Sequence, residues 1–136
     1  MRRILLDTNR YAAFKRGEQE TVEMVRVADE IALSATVIGE LLAGFAGGRR
    51  ESQNRDELAA FFDSPRVHLL KVDEDTADLY ARILTALRRT GRPIPTNDLW
   101  IAASALQHGL TLATRDSHFA GIAGLATASE PSQLTP

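Results

Sequence analysis

Ile4-Leu5-Leu6-Asp7-Thr8-Asn9 is a short apolar run that stops abruptly in three polar residues. It reads as a buried strand with Asp7 at its carboxyl end. Leu110-Thr111-Leu112-Ala113-Thr114 repeats the arrangement late in the chain, with Asp116 just past its end. Further strand-like runs stand at Ile31–Ser34, Val67–Val72 and near Leu125–Ala128. Longer stretches with helical spacing separate them: Arg10 to Arg16, Glu20 to Ala28, Arg50 to Asp63, a run capped by Asp73 or Asp75, and Asn97 to His108. Another runs to about Phe45, with Thr36 as candidate N-cap and Gly47-Gly48 as its stop. Short strands alternating with longer helices predict an α/β domain whose sheet is mostly parallel. In open sheets of this kind ligands bind beyond the carboxyl ends of the strands, where Asp7 and Asp116 stand.

Two stretches fall outside this alternation. Arg88-Arg89-Thr90-Gly91-Arg92-Pro93-Ile94-Pro95 reads as a loop, on its two prolines and its glycine. The tail from Ser129 to Pro136 is polar and carries prolines, so it is expected to be poorly ordered, leaving 1–128 as the folded domain.

Composition narrows the function. A chain of 136 residues fits one domain. A net charge of −2 excludes a highly basic nucleic-acid coat protein, and the absence of cysteine excludes disulfides, thiolate zinc sites and cysteine catalysis. No apolar run approaches the ~20 residues of a membrane helix. MRRILLDTN has too short an apolar core for a signal peptide, so a soluble, cytoplasmic protein is expected. Lysine stands only at Lys15 and Lys71, and every other basic residue is arginine. That bias suits phosphate partners, and a GC-rich genome explains it equally well.

Four acids sit where solvent-facing charges make poor sense. Asp7 and Asp116 follow apolar strands. Glu40 shares a helical face with Val37, Leu41 and Gly44, and Asp98 shares one with Ile101, Ala102 and Ala105. Each has a bland explanation: Asp7 and Asp116 as helix caps, Asp98 as a favourable charge in a first turn, Glu40 reaching out from the edge of its stripe. Taken together they are better explained as one cluster, because this fold class brings strand ends and helix starts to one cleft. Clustered carboxylates stay ionised together only beside a compensating cation. Hard oxygen ligands select Mg²⁺ or Mn²⁺, and such ions on carboxylates are the usual machinery of phosphodiester hydrolysis by activated water.

LLDTN at Leu5–Asn9, IGELLAG at Ile38–Gly44, NDLWIAASA at Asn97–Ala105 and LATRDSHF at Leu112–Phe119 together resemble the signature of the PIN domain. Their order and spacing resemble the VapC-like ribonuclease toxins of bacterial toxin–antitoxin pairs, from Leu5 to about Ala128. The resemblance implies a three-layer α/β/α fold with a parallel sheet of about five strands. It places Asp7, Glu40, Asp98 and Asp116 in the family's acidic quartet, as catalytic residues and ligands of Mg²⁺ or Mn²⁺. Thr8, Asn9, Asn97 and Thr114 match its supporting residues, whereas Arg10 and Tyr11 stand where the wider family is often aliphatic. Implied activity is endoribonucleolytic, leaving 5′-phosphate and 3′-hydroxyl ends. Implied partners are RNA, a small VapB-like antitoxin that blocks the cleft, and a second copy in a homodimer.

Arg88, Arg89, Arg92 and Arg115 are candidate RNA contacts, against the plain reading of solvated side chains. His68, His108 and His118 show no zinc spacing; the first two read as structural, and His118 lies close enough to Asp116 to touch RNA. Trp100 reads as core. A receiver-like signalling domain also gathers acids at strand ends, but it needs a late lysine and none follows Lys71. An inactive scaffold that binds RNA or a partner has little reason to keep four mutually repulsive acids. A deoxyribonuclease remains compatible with the acids, since activated water needs no 2′-hydroxyl.

Overall fold

The computed structural model describes residues 1–136. The elements are β1 (Arg3–Leu6), α1 (Thr8–Lys15), α2 (Gln19–Val27), β2 (Glu30–Ser34), α3 (Ala35–Ala46) and α4 (Glu51–Phe61). They continue with β3 (Val67–Leu70), α5 (Glu74–Thr90), α6 (Thr96–His108), β4 (Thr111–Ala113) and β5 (Thr127–Ala128). The five strands form one sheet in the order β3-β2-β1-β4-β5, and every pairing is parallel. The six helices flank it, giving the three-layer α/β/α architecture expected from the sequence.

β1 is central and buried on both faces, which is why it reads as an unbroken apolar run. Ile4, Leu5 and Leu6 are wholly buried, each worth about 1.5–3 kcal/mol of transfer free energy. Leu6 lies opposite Ala113, so the chain leaves β1 at Asp7 beside the point where it leaves β4 at Thr114. Two strand ends therefore meet at the carboxyl edge of the sheet.

Three local expectations are corrected. The cap of α3 is Ser34, whose hydroxyl accepts from the Val37 amide, and not Thr36; β2 runs straight into the helix without a linker. Arg88 and Arg89 belong to the last turn of α5 and not to a loop. Nothing in Arg88-Arg89-Thr90 breaks a helix, and cations suit its carboxyl end. The stop is Gly91, in the left-handed conformation (φ 68°) that closes helices. Finally, the tail is packed. Pro131–Gln133 form a 3-10 turn in which Gln133 caps back onto Glu130, and Leu134 is buried in the core. Its polar composition misled because two specific contacts hold it: Leu134, and the Ser129 carbonyl, which accepts from Arg10 Nη1.

Leu134→Ala is therefore expected to destabilise the protein by about 2 kcal/mol, near the lower end for buried leucines. Urea denaturation reads this as a lower midpoint at unchanged slope. An unchanged midpoint would mean that the tail is not docked.

Candidate active site

Asp7 follows directly from β1 and caps α1: its Oδ1 accepts from the Arg10 amide at 2.8 Å. Its Oδ2 accepts from the hydroxyl of Thr114. That hydroxyl in turn accepts from the Asp116 amide at 3.0 Å, so one threonine ties the two strand-end acids together. Asp116 also caps the 3-10 turn Ser117–Gly121 through the His118 amide. The capping readings of Asp7 and Asp116 are thus correct, and they coexist with a shared site.

Helices deliver the other two acids. Glu40 lies on α3, where its Oε1 accepts from the Thr8 hydroxyl at 2.6 Å and its Oε2 from Asn97 Nδ2 at 3.3 Å. Asp98 lies in the first turn of α6. Asp7, Thr8, Asn9, Glu40, Asp98 and Asp116, with Ile101 and Phe119, line one pocket of about 120 Å³. All four acids singled out in the sequence meet there, with Asn97 and Thr114 supporting from behind.

His118 is the residue the sequence undervalued. Its Nδ1 lies 3.3 Å from Asp98 Oδ2 and 3.1 Å from Asp116 Oδ1. Ligand atoms of Asp98, Asp116 and His118 lie within 4.8 Å of one another, a spacing that could hold a metal ion. The only sequence signal was its position two residues after Asp116, which gives no direction to the ring. The arginine candidates fare differently. Arg115 is paired with Glu18 and Glu20 and does not line the acidic pocket. Arg88, Arg89 and Arg92 are exposed, and none lines the acidic pocket.

Burial pushes the Asp7 carboxyl above the ordinary aspartate range, against the lowering effect of Thr114 and the Arg10 amide. Burial likewise raises Asp98, opposed by its contact with His118 and reinforced by the charges of Asp116 and Glu40. Two carboxyls that resist ionisation, in a pocket lined by two more, form a site that a cation would stabilise.

A parallel sheet of this order with acids gathered at its carboxyl edge defines a class, and the sequence matches the PIN domain over residues 4–125. The chain belongs to the PIN-domain family. It is 31% identical over 123 residues to ribonuclease VapC5 of Mycobacterium tuberculosis, covering 90% of each chain. It is 33% identical over 95 residues to toxin FitB of Neisseria gonorrhoeae, covering 67% of this chain and 68% of FitB. Among solved structures, VapBC2 from Rickettsia felis bound to a DNA fragment from their promoter superposes with a TM-score of 0.83 at 25% identity. That match covers 92% of this chain and 96% of the other. FitAcB from Neisseria gonorrhoeae gives 0.74 at 30% identity, covering 96% and 99%.

The raised Asp98 carboxyl has a measurable consequence. Its folded-state pKa lies above the unfolded value near 3.8, so folding retains a proton that the unfolded chain releases. Stability is therefore lost as pH rises from about 4 through the raised value. In EDTA at neutral pH, Asp98→Asn is expected to melt a few degrees above wild type, the gap closing below about pH 4. Melting curves across pH check this; a gap that widens towards low pH would contradict it.

Proposed function

We propose that the protein is an endoribonuclease dependent on Mg²⁺ or Mn²⁺, acting as the toxin of a toxin–antitoxin pair. The observation that carries this reading is the convergence of Asp7, Glu40, Asp98 and Asp116 on one small pocket. The donors fit a hard divalent cation: they are carboxylate oxygens, and two of the carboxyls are held above their ordinary pKa by burial. Those four acids would hold the metal. When bound, it supplies Lewis-acid stabilisation of phosphoryl charge and lowers the pKa of water.

The chain's own residues fix the geometry in which this chemistry can occur. Thr114 and the Arg10 amide hold the two oxygens of Asp7, leaving the carboxylate no freedom to rotate away. Thr8 and Asn97 do the same for Glu40. With its proton on Nδ1, His118 donates to Asp98 or Asp116 and eases their mutual repulsion. The Thr8 and Thr114 hydroxyls are engaged in orienting Glu40 and Asp7, and on this reading the acids and their metal serve hydrolysis by water. Attack by water at phosphorus with the P–O3′ bond breaking, the 3′ oxygen leaving with a proton, gives a 5′-phosphate and a 3′-hydroxyl.

The same reading supplies the partner. Relatives are named ribonuclease VapC5 and toxin FitB, and the neighbouring structures are VapBC and FitAB complexes. We infer a VapB-like antitoxin that binds this chain in a hetero-oligomer. No helix is long and apolar enough to cross a membrane.

RNA cleavage by the purified protein, with Mg²⁺, with Mn²⁺ and with EDTA, tests the activity. Cutting should require the metal and fall at least about a hundredfold in Asp98→Asn, the loss of several kcal/mol of transition-state stabilisation. Mg²⁺ should also raise the melting temperature of wild type more than that of Asp98→Asn. Equal cleavage by the two proteins would point to a contaminating nuclease. A protein that neither binds metal nor cuts would be an inactive scaffold. Cleavage of a matched DNA oligonucleotide at the same rate would remove the preference for RNA.

A further inference from the structure

A second pocket, of about 280 Å³, adjoins the acidic one and is lined by Asp7, Asn9, Arg10, Arg16, Arg115 and Asp116. No apolar residue lines it. The two pockets share Asp7, Asn9 and Asp116, so anything seated in the second lies against the acids of the first. Their signs differ: the first holds four carboxylates, and the second adds three guanidinium groups.

Those three arginines are in different states. Arg10 is 1% exposed; Nη1 donates to the Ser129 carbonyl, Nη2 lies against the Met24 sulfur, and Nε has no partner. Its direct contacts are a carbonyl and a thioether, and the opposite charges that answer it, Glu18, Glu20 and Asp7, act on it without a hydrogen bond to the guanidinium. Arg115 is held along the rim by Glu18 and Glu20. Arg16 is exposed at the carboxyl cap of α1, and its side chain makes no hydrogen bond or ion pair with the protein. Holding down the tail accounts for part of Arg10. It does not account for Arg16, nor for an all-polar pocket opening onto the acids.

We propose that this pocket seats a backbone phosphate of the RNA that flanks the phosphodiester being cut. Arg16 is its direct ligand, and Arg10 lies beneath as a fixed charge. The inference rests on the ribonuclease reading and adds to it the residues that position the strand. RNA entering the acidic pocket alone would meet four carboxylates. A phosphate next door gains a charge-assisted contact to a planar guanidinium, the group best shaped for it. That contact sets the direction in which the strand crosses Asp7 and Asp116.

The test measures binding and cleavage separately. Fluorescein-labelled single-stranded RNA is titrated, with Mg²⁺ at several salt concentrations, onto the full chain carrying Asp98→Asn to stop cutting. Adding Arg16→Ala should weaken binding about tenfold, the loss of one hydrogen-bonded charge pair. The log–log salt slope should fall by about 0.7, the increment for one phosphate contact on a single strand. Arg16→Lys should restore the slope but only part of the affinity, while Arg82→Ala, an exposed arginine on α5, should change neither. In the cleaving protein, Arg16→Ala should raise KM while kcat stays within about twofold. Replacing the flanking phosphate by an uncharged methylphosphonate should cost wild type as much as Arg16→Ala does, and both changes together should cost no more than either.

Unchanged affinity and slope in Arg16→Ala would overturn the proposal. So would additive losses from the variant and the methylphosphonate, a fall in kcat alone, or no RNA binding by any of these proteins. Because binding needs no hydrolysis, a wild type that binds RNA through Arg16 without cutting would sink the ribonuclease reading and leave the phosphate pocket standing.

Discussion

One carboxylate holds three parts of this molecule together. Asp7 closes the amino end of α1 with one oxygen and receives the Thr114 hydroxyl with the other. Parallel pairing of β1 with β4 makes this possible, because Leu6 opposite Ala113 leaves the two strand ends side by side. The same side chain forms a wall of both the acidic and the arginine-lined pocket. Its burial opposes ionisation while its two hydrogen bonds favour it. Structural demand and chemical demand thus fall on the same atoms, and replacing Asp7 would disturb helix, sheet seam and site together.

The remaining acids come from separate elements, and like charges brought from separate elements tend to splay. Cross-links oppose that tendency. Glu40 of α3 is bonded to Thr8 of α1 and to Asn97 of α6, so three helices are tied at one carboxylate. Asp98 and Asp116 share the His118 ring, which joins α6 to the turn after β4. Even the tail takes part, since Ser129 receives a hydrogen bond from the buried Arg10 beneath the second pocket. Asp7, Glu40 and Asp98 are therefore each oriented by a partner distant in sequence, and Asp116 by its near neighbour His118, which is how a repulsive cluster can keep one geometry.

Local rules made the strands and their terminal acids legible, because an apolar run that ends in Asp is a pattern of adjacent residues. Glu40 and Asp98 were legible as acids on apolar helical faces, an inconsistency visible at a spacing of three or four. What stayed hidden depends on contacts across the chain. The pairing of Arg115 with Glu18 and Glu20 spans nearly a hundred positions, so proximity to Asp116 made it look like a free cation. Arg10 departs from an often aliphatic position, yet no local signal showed that it is buried against Met24 and the tail. The direction of His118 is set by the 3-10 turn that Asp116 caps, and the tail turn Pro131–Gln133, just before the buried Leu134, packs against α2, far from it in sequence.

Charge distribution is where these contacts acquire consequence. The chain as a whole is mildly acidic, so its distant field does not attract a polyanion. At about 0.1 M salt the Debye length is near 10 Å, and only charges close to the bound strand act on it. The arginines answer to that limit. Glu18, whose carboxyl is held down at about 2 by Arg115, stays ionised at any ordinary pH, so this pair keeps the α1–α2 turn clasped to the segment after β4. Arg115 is thereby spent on structure, Arg10 is sealed beneath the floor, and Arg16 is the one cation of the pocket left without a partner. On the proposed reading, the hold on RNA comes from the site itself and not from a general affinity for nucleic acid. If the phosphate seat proposed at Arg16 is right, selectivity rests on whether a strand can place one phosphate there while the next reaches the acids.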